Sequence, residues 1–431
     1  MMDINELYTL FEACGEVTTD SRNCPAGSLF VALRGANFDG NAFAAQALQQ
    51  GCRYALVDDD RYAATGDARI VKVDNCLAAL QQLARHHRRR LGTRIIGITG
   101  TNGKTTTKEL LAAVLSQRFR VLYTQGNLNN SIGVPLTLLR LTAADEVAVV
   151  EMGASHPGDI QELVDIVEPD FGIITNVGRA HLQGFGSLEG VVRTKGELYD
   201  FLRTRQGARI FLQNENPDLN RIAAGLEAVR YGQQEGLYVS GKVLACSPFL
   251  KFGWTAGGVS HEVQTRLVGT YNLDNALAAV VVGRWFGVDD ALICKALAAY
   301  EPRNNRSQWI ETGHNHLIVD AYNANPTSMM AALENFRQME VPHKMVVLGD
   351  MKELGEVSTA EHQRVVDYLS VCGFDRVILV GKEFAAVRHV FECYEDVAQV
   401  EEVFRQHRPE GCSILVKGSN SMRLGRLVPV L

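Results

Sequence analysis

Arg94-Ile95-Ile96-Gly97-Ile98-Thr99-Gly100-Thr101-Asn102-Gly103-Lys104-Thr105-Thr106-Thr107 runs from an apolar stretch through two glycines into residues that suit a helix. Ile95 to Ile98 reads as a buried strand, and the pattern predicts a helix over 105–117. Gly100 and Gly103 allow backbone conformations that other residues resist, so consecutive N–H groups can curl around phosphate oxygens. The helix start adds partial positive charge. Lys104 can reach terminal phosphates, and the Thr105 hydroxyl can sit on Mg²⁺. The tail Gly103-Lys104-Thr105 fits the general phosphate-loop pattern, whereas its first glycine position is Ile98.

At 431 residues, the chain has room for several domains. Strands alternate with helices throughout, which predicts an α/β fold of three domains. Residues 1–92 form a small α/β unit, with strands over 29–33, 54–57 and 70–73 and helices over 42–50 and 77–87. Residues 93–300 form a central, doubly wound, mostly parallel sheet carrying the P-loop. Its strands fall at 95–98, 121–123, 147–151, 171–175 and 209–212. Its helices fall at 105–117, 158–167, 188–202 and 273–285. Residues 229–267 read as a short antiparallel insertion. Residues 301–431 form a Rossmann-like unit, with a hairpin over 308–311 and 317–320, helices over 326–338 and 360–369, and strands over 345–348, 377–380 and 413–417.

A hydrophobic content of 46% with 21% charged residues describes a folded chain, and the net charge of −6 argues against a nucleic-acid partner. The one basic run, Arg85-His86-His87-Arg88-Arg89-Arg90, reads as a solvated helix end. Nine scattered cysteines contain no C-x-x-C pair, which points to reduced thiols in a cytoplasmic protein. Met1-Met2-Asp3-Ile4-Asn5-Glu6 lacks a signal-peptide core, and no apolar run reaches the ~18 residues of a membrane span.

Chemistry concentrates where strands end. Val147-Ala148-Val149-Val150-Glu151 is an apolar strand closed by a carboxylate, where a P-loop enzyme holds Mg²⁺. Another strand leads to Asn176-Val177-Gly178-Arg179-Ala180-His181, placing His181 at the same rim as a metal or phosphate ligand. Lys195, within Arg193-Thr194-Lys195-Gly196-Glu197, reads as a surface lysine. Alternatively, a lysine near metal-binding groups can take up CO₂ as a carbamate, whose oxygens ligate a hard cation as an ammonium cannot. Ser21 and Arg22 read as turn residues or as holders of a diphosphate.

Gly100-Thr101-Asn102-Gly103-Lys104-Thr105-Thr106 resembles the ATP loop of the Mur ligase family of amide-forming synthetases, which also tolerates an apolar residue at the position of Ile98. The resemblance extends through Gly126-Asn127-Leu128-Asn129-Asn130, Glu151-Met152-Gly153-Ala154, the stretch ending at His181, and Asn272-Leu273-Asp274-Asn275-Ala276. It is most specific at Asp320-Ala321-Tyr322-Asn323-Ala324-Asn325-Pro326-Thr327-Ser328-Met329 and Leu348-Gly349-Asp350-Met351-Lys352-Glu353-Leu354-Gly355.

The resemblance implies ATP and two Mg²⁺ ions, with D-alanyl-D-alanine joined to a UDP-N-acetylmuramoyl-tripeptide by a monomeric cytoplasmic enzyme in peptidoglycan precursor synthesis. It assigns ATP phosphates to Gly100, Thr101, Asn102, Gly103, Lys104, Thr105 and Thr106. One Mg²⁺ falls to Thr105 and Glu151, and the second to His181 and carbamylated Lys195; Lys104, His181 and Lys195 become the catalytic residues. Asn272 and Asn275 would face adenine, while Arg306 and Asp320 would close over ribose and phosphates. Asn129, Asn130, Tyr322, Asn323 and Asn325 would line the substrate site, and Ser21 with Arg22 would match the uridine-diphosphate site.

Three positions depart from the family pattern: Tyr271 replaces a His, Gln183 an acid, and Asn41 a frequent His. A sister ligase adding one amino acid would carry Asp-Asn-Pro-Arg where this chain has Asn325-Pro326-Thr327-Ser328. A P-loop switch ATPase, the reading from another class, offers no reason for the paired asparagines of 272–275 or for 320–329.

Overall fold

Three larger sheets and a two-stranded ribbon organise the computed structural model, which describes residues 2–64, 66–303 and 305–431. The first sheet is parallel throughout, in the order Val17–Thr18, Leu29–Val31, Tyr54–Val57, Ile70–Lys72. Helix Cys76–Leu91 covers it and packs against helices Gly133–Leu138 and Asp159–Val167 of the central unit. The apolar core accordingly runs without a break from Leu29 and Leu80 to Ile95, Leu163 and Val164.

Arg94–Thr99 lies inside a nine-stranded sheet, between Phe171–Ile174 and Val147–Glu151, all mutually parallel. Strands buried on both faces must be apolar at every position, as Val147–Glu151 is up to its last residue. The chain visits the edge strand Val121–Tyr123, returns to Val147–Glu151, then crosses to Phe171–Ile174 on the far side of Arg94–Thr99. That reversal opens a crevice beyond the strands' carboxyl ends, the place where doubly wound sheets bind ligands. Helix Asn272–Trp285, buried along most of its length, packs with helix Lys104–Leu115 on one face.

Residues 229–267 do not form a separate insertion. Ala228–Gly232 continues the parallel sheet beside Arg209–Gln213, and Val239–Cys246, Phe249–Ala256 and Val259–Val268 extend it further as a meander. The last hairpin turns through Gly257 and Gly258 at φ +57° and +80°, the left-handed pair that a two-residue hairpin loop requires.

The third sheet runs Gln308–Glu311, His316–Asp320, Ser413–Lys417, Lys344–Gly349, Arg376–Val380, Glu392–Tyr394, parallel except for its first hairpin. Helix Pro326–Gln338 starts with proline in its first turn and a reciprocal cap between Asn325 and Ser328. That cap fixes where residues 320–328 face the central sheet. Among the described residues no helix is long and apolar enough to cross a membrane.

Candidate active site

The loop between Thr99 and Lys104 is held open by its neighbours. A Cβ at Gly100 (φ +142°) would lie 2.0 Å from Thr175 Oγ1, and one at Gly103 (φ +76°) would lie 2.4 Å from Asn275 Oδ1. Both positions therefore need glycine for space as well as for conformation. The Thr101 N–H donates to the Asn176 carbonyl at 2.9 Å, and the Asn102 N–H to Asn176 Oδ1 at 2.9 Å. Thr175 Oγ1 donates to the Asn102 carbonyl at 2.6 Å. Lys104 Nζ donates to the carbonyls of Gly100 and Thr101, at 2.7 and 3.1 Å. Burial lowers the Lys104 ammonium from its ordinary range, against the pull of Glu151.

Glu151 ends its strand beside this loop and is almost fully buried. Thr105 Oγ1 donates to its carboxylate at 3.0 Å, and Asn129 Nδ2 donates at 2.9 Å. Thr124 Oγ1 accepts from the Glu151 N–H at 2.9 Å, fixing the backbone beneath. Among the described residues no three acids, histidines or cysteines cluster as an all-protein cage. One carboxylate and one hydroxyl beside a glycine-rich loop at a helix start are a donor set that suits Mg²⁺, an ion that completes its shell with phosphates and water. The residues present therefore fit the ion.

His181, in the left-handed region at φ +50°, faces the same cleft and pairs through Nδ1 with Glu353 of the third unit. Burial lowers the imidazole from its ordinary range, and Glu353 opposes that shift. Lys195 is not a surface residue: only 2% of it is exposed, because helix Leu188–Arg203 turns it inward. Its Nζ lies 3.4 Å from the Ala154 carbonyl and 5.3 Å from the Phe185 ring centroid. Burial, reinforced by Lys104, holds its ammonium well below the ordinary lysine range. An amine so placed is poor as a cation and good as a nucleophile toward CO₂.

The opposite wall comes from the third unit. Arg306, Ser307, Asp320, Tyr322, Asn323, Thr327 and Ser328 line the same cleft of about 710 Å³ as Thr101 to Thr106, Asn129, Asn130, Glu151, His181, Asn272 and Asn275. The Arg306 guanidinium lies over the Tyr322 ring, 3.8 Å from its centroid. Asn325 sits behind the wall rather than in it, where Nδ2 donates to Asn102 Oδ1 at 2.8 Å. Asn275 Nδ2 donates to Asn272 Oδ1 at 2.8 Å, and Thr107 Oγ1 donates to Asn275 Oδ1 at 3.0 Å. Tyr271 shares a 2.8 Å hydrogen bond with Ser307 Oγ, so this departure from the family pattern ties the two units together.

Ser21 and Arg22 do not line the cleft; the Arg22 guanidinium instead forms an exposed fork with Asp20 at 2.9 Å. Asn41 is fully buried and structural: its side chain donates to Asp39 and Asp58 and accepts the Asp58 N–H. Gln183 packs against Gly355 rather than joining the cleft.

Sequence reasoning missed Lys417, a buried residue of the cleft whose Nζ reaches Asp320 Oδ2 at 2.5 Å. Its signal was the one that identified Glu151, a polar residue closing an apolar strand at the ligand-facing rim. Glu353 was also missed as a partner of His181, because a contact across two units leaves no local pattern.

Known proteins match the chain along its whole length. The description "Mur ligase family, catalytic domain" matches residues 15–88, "Mur ligase middle domain" 98–283, and "Mur ligase, glutamate ligase domain" 305–420. The UDP-N-acetylmuramoyl-tripeptide–D-alanyl-D-alanine ligase of Bacillus subtilis (strain 168) is 36% identical over 425 residues, covering 96% of this chain and 92% of its own. Among solved structures, MurF from Acinetobacter baumannii superposes with a TM-score of 0.86 at 30% identity, over 98% of this chain and 97% of that one. MurF ligase from Thermotoga maritima in complex with ADP gives a TM-score of 0.86 at 27% identity, over 100% and 98%. With these matches added to a glycine-rich loop, a rim carboxylate and a third unit lining the same cleft, the chain belongs to the Mur ligase family.

Proposed function

We infer that this protein is an ATP-dependent amide ligase that joins D-alanyl-D-alanine to UDP-N-acetylmuramoyl-tripeptide. The observation that carries the reading is one cleft lined both by the phosphate loop with Glu151 and His181, and by Arg306, Asp320, Tyr322 and Asn323 from the third unit. A machine that only hydrolyses ATP has no need of that second wall. We assign the uridine-diphosphate site to 1–92, the ATP site to 93–300, and closure over ATP with dipeptide binding to 301–431, which agrees with the grouping of strands into sheets.

A carboxylate is a poor acyl donor because its leaving group would be oxide. Transfer of the γ-phosphoryl group of ATP to a carboxylate oxygen gives an acyl phosphate and ADP. The dipeptide amine then attacks the acyl carbon, phosphate departs, and the amine loses a proton as the amide forms. Lys104 needs only to exchange its loop carbonyls for phosphate oxygens to follow the transferring group. Thr105 and Glu151 would hold Mg²⁺, which when bound neutralises crowded phosphate oxygens.

His181 stands on the acceptor side. Lys195 serves there as a carbamate, formed when its neutral amine adds to CO₂ with loss of a proton; the depressed ammonium supports this. An unmodified Lys195 offers a second Mg²⁺ no oxygen donor, so that site fits the ion only after modification. Asn323 and Tyr322 face the incoming amine, and closure of the third unit orients the two reactants while excluding water. One polypeptide carries the whole cleft, so a monomer suffices for the reaction, and we place it in the cytoplasm, where ATP is found.

Phosphate release, measured with each substrate omitted in turn, tests the reading. Ligation should require all three substrates. Hydrolysis that ignores both the UDP-linked tripeptide and the dipeptide would mean a switch ATPase instead.

A further inference from the structure

Lys108 lies one helical turn beyond Lys104 and has no solvent exposure. Its Nζ sits 3.9 Å from Glu151 Oε2 and 3.7 Å from Glu109 Oε1, and 5.8 Å from the Tyr123 ring centroid. Among the described residues it has no hydrogen-bond partner. A buried ammonium with three unused donors is costly, so a chain keeps one only where its charge matters. Glu109 is itself tethered, since Tyr300 O–H donates to Glu109 Oε2 at 2.5 Å. Burial lowers the Lys108 ammonium from its ordinary range, against the opposing pull of Glu151 and Glu109.

The division of labour around Glu151 follows from these distances. Thr105 and Asn129 make hydrogen bonds to the carboxylate and so fix its direction. Lys108 stands too far for a hydrogen bond and acts as a point charge. Unit charges some 4 Å apart interact several times more strongly in such a dry site than in bulk water. A divalent cation approaching Glu151 without nucleotide therefore meets a carboxylate already balanced by a fixed positive charge. The phosphates of ATP bring the further negative charge that tips the site toward binding the ion.

We propose that Lys108 is a positioning residue that keeps the Glu151 site closed to a free divalent cation, making cation entry depend on the nucleotide. The inference rests on the assignment of Glu151 to a cation. Glu109, held by Tyr300, sets how much of the Lys108 charge reaches Glu151.

Mn²⁺ serves as the probe, with binding to the intact protein followed by electron paramagnetic resonance, with and without ADP. The wild type should bind Mn²⁺ weakly alone and much more tightly with ADP. Lys108→Met should raise the affinity of the nucleotide-free protein by about tenfold or more, while Lys108→Arg, which keeps the charge, should behave as wild type. Lys108→Met binding Mn²⁺ no more tightly than wild type would overturn the proposal. If Lys108→Met does not fold, Glu109→Gln decides: leaving the lysine charge wholly to Glu151, it should weaken Mn²⁺ binding, and unchanged or tighter binding overturns the proposal. Glu151→Gln separates the two levels. Loss of its ADP-dependent Mn²⁺ binding sustains the assignment of Glu151, whereas retention removes that assignment and the role of Lys108 with it.

Discussion

Asn325 and Asn102 join the third unit to the glycine-rich loop through a single 2.8 Å hydrogen bond, Nδ2 donating to Oδ1. Asn325 also caps helix Pro326–Gln338, its Oδ1 accepting the Ser328 N–H at 2.9 Å. One side chain thus begins a helix and fastens it to the loop. The two jobs separate by substitution. Asn325→Asp keeps the cap oxygen and loses the donor to Asn102, so it should retain stability while kcat/KM falls by about tenfold, one hydrogen bond's worth. Asn325→Ala should lose activity as well as ~1 kcal/mol of stability through the missing cap. Urea unfolding and steady-state ligation measure the two effects, and a fully active Asp variant would show that the contact is incidental.

Gly103 tests whether the loop's shape binds the nucleotide. Alanine there would need φ +76° and would bring its Cβ to 2.4 Å from Asn275 Oδ1. Strain of this kind costs ~1–3 kcal/mol, and relief would displace the asparagine that ties helix Asn272–Trp285 to Thr107. Gly103→Ala should therefore weaken ADP binding by about tenfold or more by calorimetry, the binding counterpart of that strain. Wild-type ADP affinity would mean that the nucleotide does not sit on this turn.

Lys104→Ala should eliminate acyl-phosphate formation, which trapping by borohydride reduction detects. Binding of the UDP-linked tripeptide should stay nearly unchanged, because Lys104 Nζ donates to the loop carbonyls of Gly100 and Thr101 whereas the uridine-diphosphate end is assigned to residues 1–92. A large loss of tripeptide binding would mean the two sites are misassigned.

Lys195→Ala should abolish ligation, with partial rescue by added short carboxylates that supply the missing oxygens. The native side chain can form its carbamate only as the neutral amine, which burial and the neighbouring Lys104 favour. Full activity of the alanine variant, or failure of every short carboxylate to rescue it, would count against the carbamate.

Strands and helices were legible wherever one residue pattern decided the outcome. The apolar runs at 95–98, 147–151 and 413–417 could only be buried strands, and they are observed at Arg94–Thr99, Val147–Glu151 and Ser413–Lys417. Helix Ile4–Cys14, capped by Asp3 and closed by Gly15 at φ +71°, went unread because its apolar stripe is short and mixed with acids. The meander after Ala228 was read as antiparallel, but its attachment to the central sheet depends on Tyr231 meeting Val239 across strands, which no local pattern announces. At the site, Glu151 was legible because it closes an apolar strand, and Lys417 carries the same signal at the end of Ser413–Lys417 without having been singled out. Glu353 against His181 and Lys108 against Glu151 were not, since each pair spans residues far apart in the chain.

His87 should make the joint between the first and central units sensitive to pH. It is buried on helix Cys76–Leu91, with Nδ1 3.0 Å from Tyr8 Oη and Nε2 2.8 Å from the Leu141 carbonyl. A carbonyl only accepts, so Nε2 carries the hydrogen, and neutral Nδ1 accepts from the tyrosine. Burial lowers the imidazole from its ordinary range, against the weaker pull of Leu141. Protonation at Nδ1 would leave Tyr8 without its acceptor and put a charge into an apolar joint. An unfolded histidine titrates near ~6.5, so just below that pH the unfolded chain binds a proton that the folded chain refuses. The stability is present in full above ~6.5 and is lost as pH falls through the folded value. Urea midpoints should drop between about pH 7 and about pH 5, and the drop should be shallower in His87→Gln, which can donate to Leu141 but cannot take up the proton. An equal slope in both proteins would assign the acid sensitivity to other groups.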